Sequence, residues 1–188
     1  MVLPGGTYQL HSAMQLGTTN IQFGVILMQR RNIRFSTLEA VKADLMNLNA
    51  KGYTKTGEWD LSQTANHLAD WMSFPMDGFP KSSFMLQILI GILRVTQGKS
   101  LYKKFVQNQR MATGQPTIPQ TVHKPDADAK AIAQSVERLA TIIDRLANHR
   151  GPIHPSPLFG KMDYDQVVAL QLAHCAHHLS FLVPNPTP

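Results

Sequence analysis

Two histidines near the carboxyl end of the chain have the spacing of metal ligands. His174 and His178 lie four residues apart in the segment 163–183, whose apolar residues recur with the period of a helix. Side chains four residues apart stack on one helix face, so both imidazoles can bind a single metal ion. The pair therefore predicts half of a metal site, while His177 falls at the edge of this face.

A metal site of this kind needs a further ligand from another element, because zinc centres take at least three protein ligands. His67 is a candidate, since it lies in the helix predicted to follow Asp60. It is also compatible with a half-exposed histidine beside the apolar stripe of that helix, and spacing alone leaves both interpretations open. Histidines in helices are often surface residues, or core residues satisfied by one hydrogen bond.

The other chemically interesting side chains have weaker patterns. Cys175 is the only cysteine, so no intrachain disulfide can form, and its apolar helical neighbours predict an inert buried thiol. This cysteine usage is compatible with a reducing compartment, and we expect a cytoplasmic protein. His154 lies in a Pro-rich loop, where it either lines the mouth of the pocket or serves as an acid/base catalyst; the alternative is that it caps or packs within the loop. Core packing is expected for Trp59 and Trp71, with a pocket wall as the alternative.

Helices are the elements that must position these residues, because four stretches carry apolar residues at helical or heptad spacing. Polar residues mark their starts: a capping box at 36–39, Asp60, and either Asp126 or Asp128. The seams of the first three stretches are Leu38, Val41, Leu45 and Leu48, then Leu61, Ala65, Leu68 and Met72, then Ile132, Val136, Leu139, Ile143 and Leu146. No segment has convincing β alternation, so the sequence predicts an all-α fold.

A further helix is predicted at 84–95, which is apolar nearly all round but too short for the roughly 20 residues of a membrane span. This pattern favours a helix that is buried in the core or covered by a partner, such as a second copy in a homodimer. The next segment, 98–125, is basic and then rich in Gly, Pro, Thr and Gln. It is expected to form a long surface connection, with room for a short helix in its charged first part.

The amino end of the sequence is unlike the rest. Residues 1–27 contain no Lys, Arg, Asp or Glu and resemble no signal peptide, and the arginine pair at 30–31 lacks the context of an export signal. We predict that this segment is weakly ordered and that the protein starts at Met28. The expected organisation is an extension at 1–27, one domain at 28–184 and a tail at 185–188.

Composition points to a globular domain, with 188 residues of which 43% are hydrophobic and 16% charged. The formal charge of +6 would suit an anionic partner, but the basic residues are dispersed along the chain. Nucleic-acid binding is not favoured, because no helix carries a continuous basic stripe and no reader motif is present.

Three segments together resemble the DinB-like (YfiT-like) superfamily of metalloenzymes. They are WDLSQTANHLADWM at 59–72, HPSPLFGKM at 154–162 and QLAHCAHHLSFLVP at 171–184. Two further features are similar to one branch of this superfamily, whose members have no assigned reaction. They are the RRNIRF segment at 30–35 and the loop with an HP pair at 154–155 and an FG pair at 159–160. The resemblance covers roughly residues 29–184.

This resemblance implies a four-helix bundle with a long crossover between its second and third core helices, here at 98–125, and one additional apolar helix. It implies a divalent metal ion, Zn²⁺ or Ni²⁺, held by His67, His174 and His178. The better-understood members are thiol-dependent transferases or isomerases, with some hydrolases, so we expect an enzyme acting on a small molecule, with a low-molecular-weight thiol as a candidate partner. The alternative is a non-catalytic helical bundle that binds a ligand or partner.

Overall fold

The computed structural model describes residues 29–81, 83–114 and 117–186, and the predicted extension at 1–27 lies outside them, as does Met28. Within these ranges the chain is mostly helical, which confirms the all-α prediction. The elements are α1 (Leu38–Lys51), β1 (Tyr53–Lys55), α2 (Leu61–Asp77), α3 (Phe84–Asn108), a 3-10 turn (Pro119–Thr121), α4 (Ala129–Ala147), α5 (Tyr164–Leu179) and β2 (Leu182–Pro184).

Polar side chains cap the helices largely where the sequence predicts. Asp60 and Asp163 each form a capping box with the glutamine three residues later, and Asp128 caps α4. The prediction for α1 is wrong by one residue. Thr37 rather than Ser36 is the cap, because the backbone is still extended at Thr37 (φ −140°, ψ 159°) and its hydroxyl accepts the N–H of Ala40.

A single hydrophobic core joins α1, α2, α4 and α5. Every residue of the three predicted seams is buried except Ile132, which is partly buried and packs against the core. The first two of these helices each pack against both of the last two. This packing brings the early helix α2 beside the final helix α5, which is the contact that positions the candidate site.

The apolar helix α3 is longer and more exposed than the sequence predicts. It runs to Asn108, so the expectation of a surface connection with at most a short helix is wrong for 98–108. Only Gly98 among its residues is buried, and there a Cβ atom would lie 2.9 Å from the carbonyl oxygen of Leu158. The N-terminal half of α3 therefore presents apolar side chains to solvent.

Arginines of the RRNIRF segment close the ends of two helices. Arg31 forms a bidentate ion pair with Asp44, with both N–O distances 2.8 Å, and donates to the carbonyl oxygen of Leu179 at the end of α5. Arg34 donates to the carbonyl oxygens of residues 107 and 108 at the end of α3. Guanidinium groups satisfy carbonyls that have no partner within a helix and oppose the negative end of its dipole.

Two short strands are a feature that the sequence did not predict. β1 and β2 pair antiparallel, with Tyr53 opposite Pro184, and the N–H of Asn185 continues the contact to the carbonyl oxygen of Gly52 at 3.1 Å. Strands of three residues are too short to show alternation. None of the helices in the described ranges combines the length and apolar character needed to cross a membrane.

Candidate metal centre

Three histidines from two helices converge in the core. The Nε2 atoms of His67 on α2 and His174 on α5 are 3.3 Å apart, and one ring nitrogen from each of His67, His174 and His178 lies within 4.8 Å of the others. Tetrahedral ligands at about 2.0–2.1 Å from an ion are roughly 3.3–3.4 Å from one another. The first pair already has this separation, and the three histidines could together hold a metal ion.

The orientation of His67 is set by a backbone carbonyl. Its side chain is 2% exposed, and Nδ1 lies 3.0 Å from the carbonyl oxygen of Thr121, which can only accept. Nδ1 therefore carries the proton, and the lone pair of Nε2 faces His174. Thr121 is itself held by the 3-10 turn, where its hydroxyl donates to the carbonyl oxygen of Ile118 at 2.8 Å.

Two tryptophans form walls of the histidine cluster. Trp59 stacks on the ring of His178, with centroids 5.3 Å apart and planes 8° from parallel. Trp71 meets the ring of His174 at 90°, with a centroid distance of 5.7 Å. The predicted alternative of a pocket wall therefore describes both side chains, although each also packs within the protein. Both indole rings place apolar surface beside the cluster.

Burial keeps the three histidines neutral. It lowers the pKa of His67 to about 4, and it lowers the pKa of His174 and of His178 well below the usual 6.5, with the neighbouring histidines adding to the effect. Neutral imidazole is the form that binds a metal ion, so the cluster is ready to accept one at neutral pH.

The thiol of Cys175 is buried, as predicted, on the same helix. Burial raises its pKa to about 12, so the thiol is protonated at neutral pH. Cysteine acts as a nucleophile or as a metal ligand in its thiolate form. Cys175 therefore supplies neither a nucleophile nor a metal ligand to the cluster.

His177 belongs to a neighbouring hydrogen-bond network. Its Nδ1 lies 3.0 Å from Nη2 of Arg30 and accepts the backbone N–H of Met111 at 3.0 Å. Burial, and then the charge of Arg30, lower the pKa of His177 to about 4. The helical wheel placed His177 only at an edge of the apolar face. No sequence pattern indicates that Arg30 and Met111 contact its ring.

The structure does not bring His154 to the cluster. His154 is exposed, its N–H donates to the carbonyl oxygen of Pro75 at 2.8 Å, and its ring lies beside Gly78 just beyond the end of α2. A helix rises about 1.5 Å per residue, so Gly78 is roughly 16 Å from His67 along α2.

Three polar side chains on the helices that carry the candidate ligands do not support the ligand rings. Gln171 donates to the carbonyl oxygen of Trp71, Asp70 pairs with His123 and Arg138, and Asp163 is the cap of α5. None of their hydrogen bonds in the described ranges reaches a candidate ligand. The partner that was missed is a main-chain carbonyl, which leaves no signature in the residue types.

Residues 27–185 match the model of a family described as "Protein of unknown function (DUF1569)", and the chain belongs to this family. No curated protein and no solved structure matched the chain. The match includes the three candidate ligands and their supporting residues, and the family description assigns them no reaction.

Proposed function

We propose that this protein is a divalent-metal-dependent enzyme of the DinB-like type, whose metal ion is held by His67, His174 and His178. The observation that carries the proposal is the convergence of these three neutral imidazoles in the core. His67 and His174 come from different helices and are 107 residues apart in sequence. The carbonyl oxygen of Thr121 orients the ring of His67. A ring held in one tautomer by an outer partner is the usual arrangement of a metal-binding histidine.

The proposed architecture is a four-helix bundle of α1, α2, α4 and α5. Their shared core and mutual packing support it. In this arrangement the connection between the second and third bundle helices is long and contains α3 and the 3-10 turn. The turn supplies Thr121, so the crossover contributes directly to the orientation of a ligand.

The donor set fits a borderline divalent cation such as Zn²⁺ or Ni²⁺, because it consists of imidazole nitrogens. When bound, such a cation supplies Lewis-acid chemistry and lowers the pKa of water or of a thiol towards neutrality. The protein's own residues orient the nitrogens, keep them unprotonated and exclude bulk water. His178 is only partly buried, so a reactant reaches the cluster from its side.

The reaction class that we propose is group transfer to or from a small molecule, with a low-molecular-weight thiol as co-substrate, or hydrolysis. Three neutral ligands leave the positive charge of a divalent ion uncompensated, and this charge stabilises a thiolate or another anion. The resemblance to thiol-dependent transferases favours the first reaction class over hydrolysis.

Metal analysis of untagged protein tests this proposal. We expect about one divalent ion per chain in the wild type, and less than about a tenth of that after His67→Ala, His174→Ala or His178→Ala, since each removes a direct ligand. The exposed His154, which lies away from the cluster, provides the control, and His154→Ala should retain wild-type metal. Circular dichroism establishes that each variant is folded. Folded ligand variants that hold as much metal as the control would exclude the site.

A second candidate, a non-catalytic bundle that binds a partner, is favoured by the apolar surface of α3. Its exposed apolar side chains include Phe84, Met85, Ile88, Leu89, Ile92 and Val95, with exposed fractions between 46% and 82%. Under this alternative the 3.3 Å separation between His67 and His174 is a hydrogen bond between rings in the core.

The partner that we propose for this face is a second copy of the chain. Residues 85, 88, 92 and 95 follow heptad spacing, so two such helices can pack side chains between one another about a two-fold axis. At roughly 100 Å² of apolar surface for each of the six side chains, two copies would bury roughly 1,200 Å². This area reaches the lower limit of a stable interface, about 1,200–2,000 Å².

A further inference from the structure

The histidine cluster has an open side at His178. His67 and His174 are buried at 2% and 8% exposure, whereas His178 is only partly buried. Trp59 covers one face of the His178 ring, and the ring of His177, the next residue on α5, lies 4.8 Å from the His178 ring between centroids. The charges of that neighbourhood therefore select what can bind.

Arg30 is one of two guanidinium groups beside this side. Its Nη2 lies 3.0 Å from Nδ1 of His177 and donates to the carbonyl oxygen of the same residue at 2.8 Å. Its Nε donates to the hydroxyl of Ser180, and the guanidinium carbon lies 4.0 Å from the centre of the Phe181 ring. All of these partners are uncharged, so the positive charge of Arg30 is not neutralised.

Arg110 is the second. The next residue, Met111, donates its N–H to Nδ1 of His177 at 3.0 Å, so the main chain at Arg110 is held one residue away from this contact. Gln109 anchors the other side, because its side chain bonds to both the N–H and the carbonyl oxygen of Phe35. The side chain of Arg110 is exposed.

The two arginine charges also act on each other. Burial lowers the pKa of Arg30, and the charge of Arg110 lowers it further. Like charges held close together destabilise the site unless an anion lies between or beside them.

Elsewhere in the described ranges, several cationic side chains lie against carboxylates. These pairs are Arg31 with Asp44, Lys42 with Asp144, Arg138 with Asp70, and Arg145 with Asp77. Neither Arg30 nor Arg110 has a carboxylate partner among the described residues. The charges of Arg30 and Arg110 are therefore without a carboxylate counter-ion beside the open side of the histidine cluster.

We propose that the small molecule that binds at the histidine centre carries a carboxylate or phosphate group, which Arg110, with Arg30 beside it, receives next to His178. This inference rests on the proposed metal-binding function and names the class of its substrate. A planar guanidinium can bind a carboxylate or phosphate with two parallel hydrogen bonds. Arg30 already uses its donors on α5, so Arg110 has the freer hydrogen-bonding capacity.

A pair of thiols that differ mainly in charge tests the proposal. Thioglycolate carries a carboxylate where 2-mercaptoethanol carries a hydroxymethyl group, and binding of each to cobalt-loaded protein is followed by the cobalt absorption spectrum. We expect the wild type to prefer thioglycolate by about tenfold or more, and Arg110→Gln to abolish most of this preference without changing the bound cobalt.

Arg94→Gln is the matched control, because it removes the same charge from an exposed position on α3. Arg94 is 14 residues before the end of α3 at Asn108, roughly 21 Å of helical rise from the end of the helix that precedes Arg110. The inference is supported if Arg94→Gln keeps the preference for thioglycolate and Arg110→Gln loses it. It is overturned, while cobalt binding stands, if the wild type binds the two thiols equally. It is also overturned if the preference changes to the same extent in both variants. Absence of cobalt binding overturns the proposed function itself, so the two failures are distinguishable.

Discussion

At the scale of the residue, the proposed metal site depends on imidazoles that burial keeps neutral. His67 shows this most clearly, because its pKa is lowered to about 4 although its Nδ1 donates to the carbonyl oxygen of Thr121, a contact that favours protonation. Desolvation of the charged form is the larger effect. A ring that resists protonation is a good metal ligand and a source of acid sensitivity in the metal-free protein.

The metal-free protein should lose stability in mild acid. Below about pH 6.5 the unfolded chain protonates His67, whereas the folded chain does not until about pH 4. The unfolded state therefore binds more protons in this window, and the free energy of unfolding falls as pH decreases. Between about pH 7 and pH 5 the contribution of His67 is on the order of 2 kcal/mol.

Urea unfolding in the presence of a chelator measures this effect. His67→Gln removes the titrating ring, so the loss of stability between the two pH values should be smaller than in the wild type. His154→Gln, at an exposed position, should behave as the wild type does. Identical pH dependence in the wild type and His67→Gln would contradict the account of a buried neutral ring.

Residue types and spacing predicted part of this site and not all of it. The pair at 174 and 178 follows from helical geometry, and the three histidines lie together in the structure. Thr121 and Met111 could not have been found, since both act through backbone groups that any residue carries. Arg30 was visible only as part of a motif, because its contact with α5 spans 147 residues of sequence.

At the scale of the element, α5 differs from an ordinary amphipathic helix because its second half is buried nearly all round. One side faces α2, and the opposite side is covered by the segments around Arg30 and Met111. Ala173 and Ala176 lie on the side of α5 opposite its larger apolar residues, and they are consequently buried as well. Small side chains on this side allow the covering segments to approach closely.

Helix α3 is the opposite case, since its first half is apolar and yet exposed. The prediction of a buried or partner-covered helix rested on composition, and composition does not distinguish a helix that its own chain covers from one that another chain covers. Within one chain, Gly98 lies against the carbonyl oxygen of Leu158, and the hydroxyl of Tyr102 donates to the carbonyl oxygen of Gln166. The seams of α1, α2 and α4 were predictable because their apolar residues are confined to one face.

The proposed pairing of two copies through α3 predicts a change of oligomeric state on a single substitution. Ile92→Glu places a charge in the middle of the apolar face, so we expect it to weaken dimerisation by more than about a hundredfold. Sedimentation equilibrium of both proteins measures this.

Arg94→Glu is the control for this substitution, because residue 94 lies on the other side of α3 from Ile92 on a helical wheel. This variant should remain dimeric. A wild type that is monomeric at high concentration would rule out the pairing, and so would equal weakening by the two glutamates.

At the scale of the whole molecule, the candidate site depends on contacts between distant parts of the sequence. α2 supplies one ligand, α5 supplies two, and the turn between α3 and α4 orients the first. Periodicity predicted the helices but not which faces meet, because heptad spacing does not specify the partner of each seam. The position of His154 near the far end of α2 follows from the same packing and could not be read from its loop.

Zinc K-edge X-ray absorption of the untagged protein, loaded with one equivalent of Zn²⁺, tests most directly whether His67, His174 and His178 bind one metal ion. We expect three imidazole nitrogens at about 2.0–2.1 Å from the ion, with the remaining position open to water or a substrate atom. After His67→Ala, the imidazole count should fall to two or the ion should be lost. Failure of the wild type to bind zinc, or a ligand set unchanged by the substitution at position 67, would contradict binding by these three histidines.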